Sequence, residues 1–183
     1  MIRRLTALAA CAALLLTAAS PALAGPKGQG PKGPSIVDVA TEVNDATGLF
    51  DTLLAAVGAA DPAVFATLDG GGQHTVFAPT DDAFAALGLN ESNLCLLSQG
   101  ELTQILLYHV AKGRRDAGEV LASDTIRTLL GTRVAQSGGV LTDQLDRDSN
   151  IIVIDVFAAN GVIHVVDNVL LPFAPTIDPS GCL

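Results

Sequence analysis

The apolar pattern changes period part-way along the 183-residue chain, and that change restricts the fold more than any other feature. From Ser35 to His109 apolar residues recur three and four apart, the spacing of helices that bury one face. Ile36, Val39, Ala40 and Val43 follow a Ser35–Asp38 capping pair, and Phe50, Leu53, Leu54 and Val57 repeat the spacing. Asp61-Pro62 opens a short third helix with Val64, Phe65 and Leu68 on its inner side. His74–Ala78 (HTVFA) reads as a strand stopped by Pro79, and Thr80 then caps a helix with Asp81 and Asp82 in its first turn. Ser98 and Glu101 form a second capping box, ahead of a face made by Leu102, Ile105, Leu106 and His109. Beyond Ser123 the period becomes two: strands are expected at 125–130, 132–136 and 140–144, and a hairpin at 151–157 and 162–166 turning on Asn160-Gly161. Helices first and strands later predict an α+β domain with a largely antiparallel sheet.

The ends of the chain read differently. Arg3 and Arg4, an uncharged run from Leu5 to Ala19 and Pro21-Ala22-Leu23-Ala24 form an export signal over residues 1–24. No later stretch is apolar for long enough to predict a membrane-spanning helix. Residues 25–34 (GPKGQGPKGP) hold nothing that could be buried and read as an extended linker. The domain is therefore expected over 35–172, with a tail over 173–183. If Cys11 leaves with the signal, Cys95 and Cys182 remain as an even pair in an exported protein and are expected to form a disulfide.

Charge excludes some partners. Lys and Arg number 10 and Asp and Glu 19; without Arg3 and Arg4 the balance is 8 − 19 = −11. So acidic a body disfavours nucleic acid and anionic lipid as general partners. Six Phe, one Tyr and no Trp leave little for stacking bases or sugars. Gly70-Gly71-Gly72 lacks the Gly-Lys-Ser/Thr of a phosphate loop, so no cofactor is expected there. Asp146-x-Asp148-x-Asn150 matches the start of a calcium loop, but Ile151 and Phe157 stand where such a loop needs Gly and Glu, and no metal is expected. Neither a Gly-x-Ser-x-Gly elbow nor a His-Glu-x-x-His helix is present, so an enzyme is not expected.

Two segments resemble the signature boxes of the fasciclin (FAS1) family: Thr75–Phe84 (TVFAPTDDAF), and Asn160–Pro172 (NGVIHVVDNVLLP). Between them Ile105–Val110 (ILLYHV) is similar to the family's central Tyr-His motif. The resemblance implies a wedge-shaped fold of two packed antiparallel sheets with helices on one side, as a small secreted single domain of bacterial type. Thr80, Asp81, Asn160, Gly161, His164 and Asp167 fall on motif positions. It also implies adhesion to cell-surface or matrix protein or polysaccharide, outside the cell or in the periplasm, with Tyr108 and His109 as the contact residues.

Read from the residues alone, His109 is expected inward with Thr80 as its hydrogen-bond partner, and Tyr108 partly exposed with a wet hydroxyl. His164 is expected to pair with Asp155 across the hairpin, and His74 to be exposed. An adhesion module is the first functional expectation. By analogy with the fasciclin family, a carrier of a carotenoid- or lipid-like molecule between sheet and helices is one alternative, and a structural component of envelope or biofilm is the other.

Overall fold

A computed structural model describes residues 33–182; the expected export signal and most of the linker lie outside the described residues. Six α-helices are present among them: α1 (Ile36–Thr47), α2 (Asp51–Ala59), α3 (Pro62–Asp69), α4 (Asp81–Ala85), α5 (Gln99–Tyr108) and α6 (Ala117–Leu121). The strands are β1 (His74–Pro79), β2 (Val110–Lys112), β3 (Thr125–Arg127), β4 (Arg133–Ser137), β5 (Val140–Thr142), β6 (Asp148–Ala158) and β7 (Gly161–Val166). Both expected capping boxes form, with Ser35 and Asp38 closing α1 and Ser98 and Glu101 closing α5 through reciprocal bonds.

The seven strands are hydrogen-bonded in the order β2-β1-β7-β6-β5-β4-β3. All ladders are antiparallel except β1 with β7, which run parallel from His74 opposite Gly161 to Pro79 opposite Val166. The long strand β6 joins two halves, pairing with β5 through Asp148–Asn150 and with β7 from Ile151 onward. The sheet then curls until its two outer strands meet at an Ala111–Thr128 bridge, reinforced by Leu129 N–H donating to the Val110 carbonyl at 2.6 Å. The wedge is thus one folded-over sheet in two halves, whose outer strands touch at that bridge.

Two cores follow from this curl. Inside it, Phe77, Tyr108, Ala111, Val120, Ile126, Val134, Leu141, Val166 and Leu170 pack between the two halves. On the opposite face of β1 and β7, residues such as Val76, Ile163 and Val165 pack against α1, α2, α3 and α5. The tail is held as well: Cys95 and Cys182 are bonded with their Cα atoms 5.0 Å apart, and Thr176 N–H donates to Glu101. No single described helix is long and apolar enough to cross a membrane.

Candidate functional site

Thr80 and Asp81 divide their work. The Thr80 hydroxyl accepts from Ala83 N–H and starts α4, whereas Asp81 reaches away from its own helix. Its carboxylate accepts from Thr52 N–H at 2.8 Å and Asp51 N–H at 3.2 Å, capping α2, whose own N-cap residue, Phe50, supplies no side-chain bond. An anion at that helix end meets the orphan amides and the positive pole of the dipole together.

Tyr108 ends α5 and His109 caps it, and the two side chains enter different cores. Tyr108 is 0% exposed, and its hydroxyl donates to the Arg133 carbonyl at 3.3 Å. The expectation of a partly exposed Tyr108 is overturned because the curled sheet closes over the end of α5. His109 is also buried, but Thr80 is not its partner. Its Nδ1–H donates to the Ile105 carbonyl at 2.8 Å and its Nε2 accepts from Leu170 N–H at 3.0 Å. Thr80 is already committed to Ala83. Burial pushes the imidazole down to about 4, so the ring is neutral at ordinary pH, as this donor-and-acceptor arrangement requires.

The second signature segment is also spent on structure. Asn160 is buried; its Oδ1 accepts from Ile36 N–H at 2.7 Å and its Nδ2 donates to the Leu68 and Gly70 carbonyls. It thereby ties the start of α1 to the end of α3. The hairpin turns on Ala159-Asn160 and not on Asn160-Gly161, because Gly161 is the first residue of β7. A Cβ there would run into the His74 carbonyl oxygen, which explains the glycine.

Bulges in β6 then shift the register that the sequence suggested. Asp155 sits in one of them at φ 57°, and its carboxylate accepts from Ala117 N–H and not from His164. His164 takes the Asp155 backbone N–H on Nδ1 at 3.3 Å and donates from Nε2 to the Arg115 carbonyl at 3.0 Å, so there is no Asp–His carboxylate pair. Asp167 binds Asn150 through both oxygens. His74 is buried too, correcting its expected exposure: the ring lies over Gly72 and is shielded with its backbone between β2 and β7.

Sequence reasoning missed Asp143. It is 5% exposed and accepts from the N–H groups of Leu145, Arg147 and Leu171 and from the Arg147 guanidinium. Burial alone would raise its pKa, but those hydrogen bonds prevail and lower it. Arg147 also donates to the Val169 carbonyl, so the pair locks the β5–β6 loop onto the segment after β7. The available signal was local: Asp, then backbone donors two and four residues later, is the pattern of an Asx turn.

These groups are occupied by the protein itself. Among the described residues no three His, Cys, Asp or Glu side chains converge as a metal ion would need. Asp148 and Asn150 of the calcium-like stretch are bonded to Thr142 and Asp167. An apolar cavity of about 30 Å³ lies between α1, α2 and β1, lined by Ile36, Ala40, Leu53, Val57, Leu106 and Ile163 among others.

The fasciclin domain model matches residues 48–172. This chain is a member of the fasciclin family. Protein sll1483 of Synechocystis sp. is 43% identical over 128 residues, 67% of each chain. Transforming growth factor-beta-induced protein ig-h3 of Sus scrofa is 35% identical over 123 residues, which are 67% of this chain and 18% of that one. The fold is also that of a FAS1 domain pair from the insect cell adhesion molecule fasciclin I, with a TM-score of 0.53 and 22% identity over 68% of this chain and 46% of the other. Fasciclin domains occur in adhesion proteins and in extracellular or secreted proteins, and the family is generally non-enzymatic.

Proposed function

We propose that this fasciclin protein is an exported recognition module that adheres to cell-surface or matrix material and transforms nothing chemically. One observation carries the reading: the buried polar side chains at the signature motifs, Thr75, Thr80, His109, Asn160 and His164, are engaged by the backbone. His109, His164, Asn160 and Asp143 each hold chain segments together, which leaves no reactive group among them poised toward a substrate. The amino-terminal signal and the Cys95–Cys182 bond favour an oxidising compartment outside the cytoplasm. Tyr108 and His109 serve this role as supports for the surface and not as contacts. A carrier of a carotenoid-sized molecule between sheet and helices fits less well, since the cavity there, about 30 Å³, holds one or two water molecules and α1 would have to leave the sheet.

The test is adhesion of the purified exported protein, displayed on beads, to cells and extracellular polymer of its source. Retention above that of an equally acidic control protein is expected, unchanged by Tyr108→Phe. Retention no better than the control, or turnover of a substrate, would refute the proposal.

A further inference from the structure

The charges of the folded chain are unevenly placed. Residues 35–111 contain ten Asp and Glu and no Lys or Arg, and all six basic residues of the domain lie between Lys112 and Arg147. Only Arg147 finds a carboxylate, since Arg147–Asp143 is the one salt bridge among the described residues. In a chain with nearly twice as many acids as bases, unpaired cations are unexpected wherever they cluster.

They do cluster on the outer face of the curl. Arg127 on β3 stands directly opposite Arg133 on β4. One step beyond the Ala111–Thr128 bridge, Lys112 on β2 comes opposite Arg127. All three side chains are exposed, and their neighbours Ala111, Ile126 and Val134 point into the core, so the three cations share one face. They form a row across three adjacent strands, roughly 4.8 Å from each to the next. Like charges so placed repel. The row continues to exposed Gln144, which donates to the Arg133 carbonyl, and Arg133 reaches the Thr125 hydroxyl at 3.4 Å.

We propose that the outer face of β2, β3 and β4 binds an acidic polysaccharide through Lys112, Arg127 and Arg133. Evenly spaced cations match a polymer that repeats its charge, and guanidinium groups pair with carboxylate or sulfate in two-point fashion. Exposed Thr125, Thr132 and Gln144 border the row with hydroxyl and amide groups suited to sugar hydroxyls. Single-stranded nucleic acid would want aromatic platforms, and Tyr108, whose hydroxyl meets the Arg133 carbonyl, is buried. A lipid surface would want apolar anchors beside the cations. The exposed Ile152, Ile154 and Phe157 instead lie on the stretch of β6 that pairs with β7, and β7 and β1 stand between that stretch and β2.

This inference rests on the adhesion reading and names the chemistry of its partner. The experiment measures binding of the exported protein at low salt to oligogalacturonate and dextran sulfate, the carboxylate and sulfate arms. Neutral dextran, single-stranded DNA and phosphatidylglycerol vesicles are the comparisons. Binding to at least one acidic glycan and not to neutral dextran is expected, weakening as salt rises. Lys112→Gln/Arg127→Gln/Arg133→Gln should lose at least tenfold in affinity with no loss of thermal stability, while Arg114→Gln, a cation outside the row, stays within twofold. Equal binding by the triple variant, equal binding to neutral dextran, or DNA or vesicles bound as tightly would each overturn the proposal. The bead assay separates the two readings. Adhesion that survives the triple variant sinks the polysaccharide face alone, whereas wild-type beads that never adhere sink the adhesion reading.

Discussion

His109 makes the fold sensitive to acid in a way that can be calculated. Its ring is neutral in the folded protein because Nε2 must accept from Leu170 N–H, and a proton there would break that bond inside the core. Burial, the leading cause, holds its pKa at about 4, against 6.5 for a free imidazole. The unfolded chain therefore takes up a proton that the folded chain refuses. Stability from this group is fully present above about pH 6.5 and is lost as pH falls toward 4. The whole difference is worth about 3 kcal/mol, with about 2 kcal/mol gone by pH 5. His109→Gln keeps an acceptor for Leu170 N–H, gives up the bond to the Ile105 carbonyl and does not titrate. At pH 7 it should cost about 1–2 kcal/mol.

Between pH 7 and 5 the wild type should lose about 2 kcal/mol more than the variant, so their stabilities converge or cross. The carboxylates with lowered pKa, such as Asp143, are common to both chains and cancel in the difference. Urea midpoints followed by far-ultraviolet circular dichroism at half-unit pH steps would measure this, since the chain has one Tyr and no Trp for fluorescence. Stability curves that stay parallel from pH 7 to 5 would refute the assignment of a buried neutral His109.

Tyr108→Phe removes one buried hydrogen bond and should lower stability by about 1 kcal/mol in urea titration. Asn160→Ala strands one backbone donor and two carbonyls and should cost at least about 3 kcal/mol, read as a lower melting temperature. Asp81→Ala removes the cap of α2 from another helix, so about 1–2 kcal/mol is expected, with amide exchange accelerated at Asp51 and Thr52. Cys95→Ser/Cys182→Ser opens a loop spanning 87 positions and should cost up to about 4–5 kcal/mol on chain-entropy reasoning, while unreduced peptide mapping of the wild type should recover the linked pair.

The helical half was legible because its determinants are local. The Ser35–Asp38 and Ser98–Glu101 boxes, the Asp61-Pro62 start and the three-four spacing act within a few residues, and each appears where the pattern put it. Errors gathered where distant segments decide. Nothing near Tyr108 announces that β3 will fold back onto β2 and bury it. The hairpin register slipped because Asp155 adopts a left-handed backbone in order to cap α6, 38 positions away. Asp81 reads as a first-turn anion of its own helix, and only the packing of α4 on α2 turns it to the other helix end.

The same contrast bears on where recognition resides. Residues of the three motifs close helix ends, join α1 to α3, or fill the seam at which α5 meets both cores. A substitution at any of them changes stability first and the outer surface only through loss of fold. The cations at positions 112, 127 and 133 are opposite in character: they are exposed, form no salt bridge among the described residues and repel one another, so their removal should leave the fold intact or firmer. A chain kept for its fold alone would gain by placing one of its 19 acids beside them. Variation in ligand should therefore follow the outer faces of β2–β4, with the motif residues held constant beneath. Exchanging those three side chains for acidic ones in an otherwise unaltered domain should abolish binding to an acidic glycan while the urea midpoint moves by less than about 1 kcal/mol equivalent.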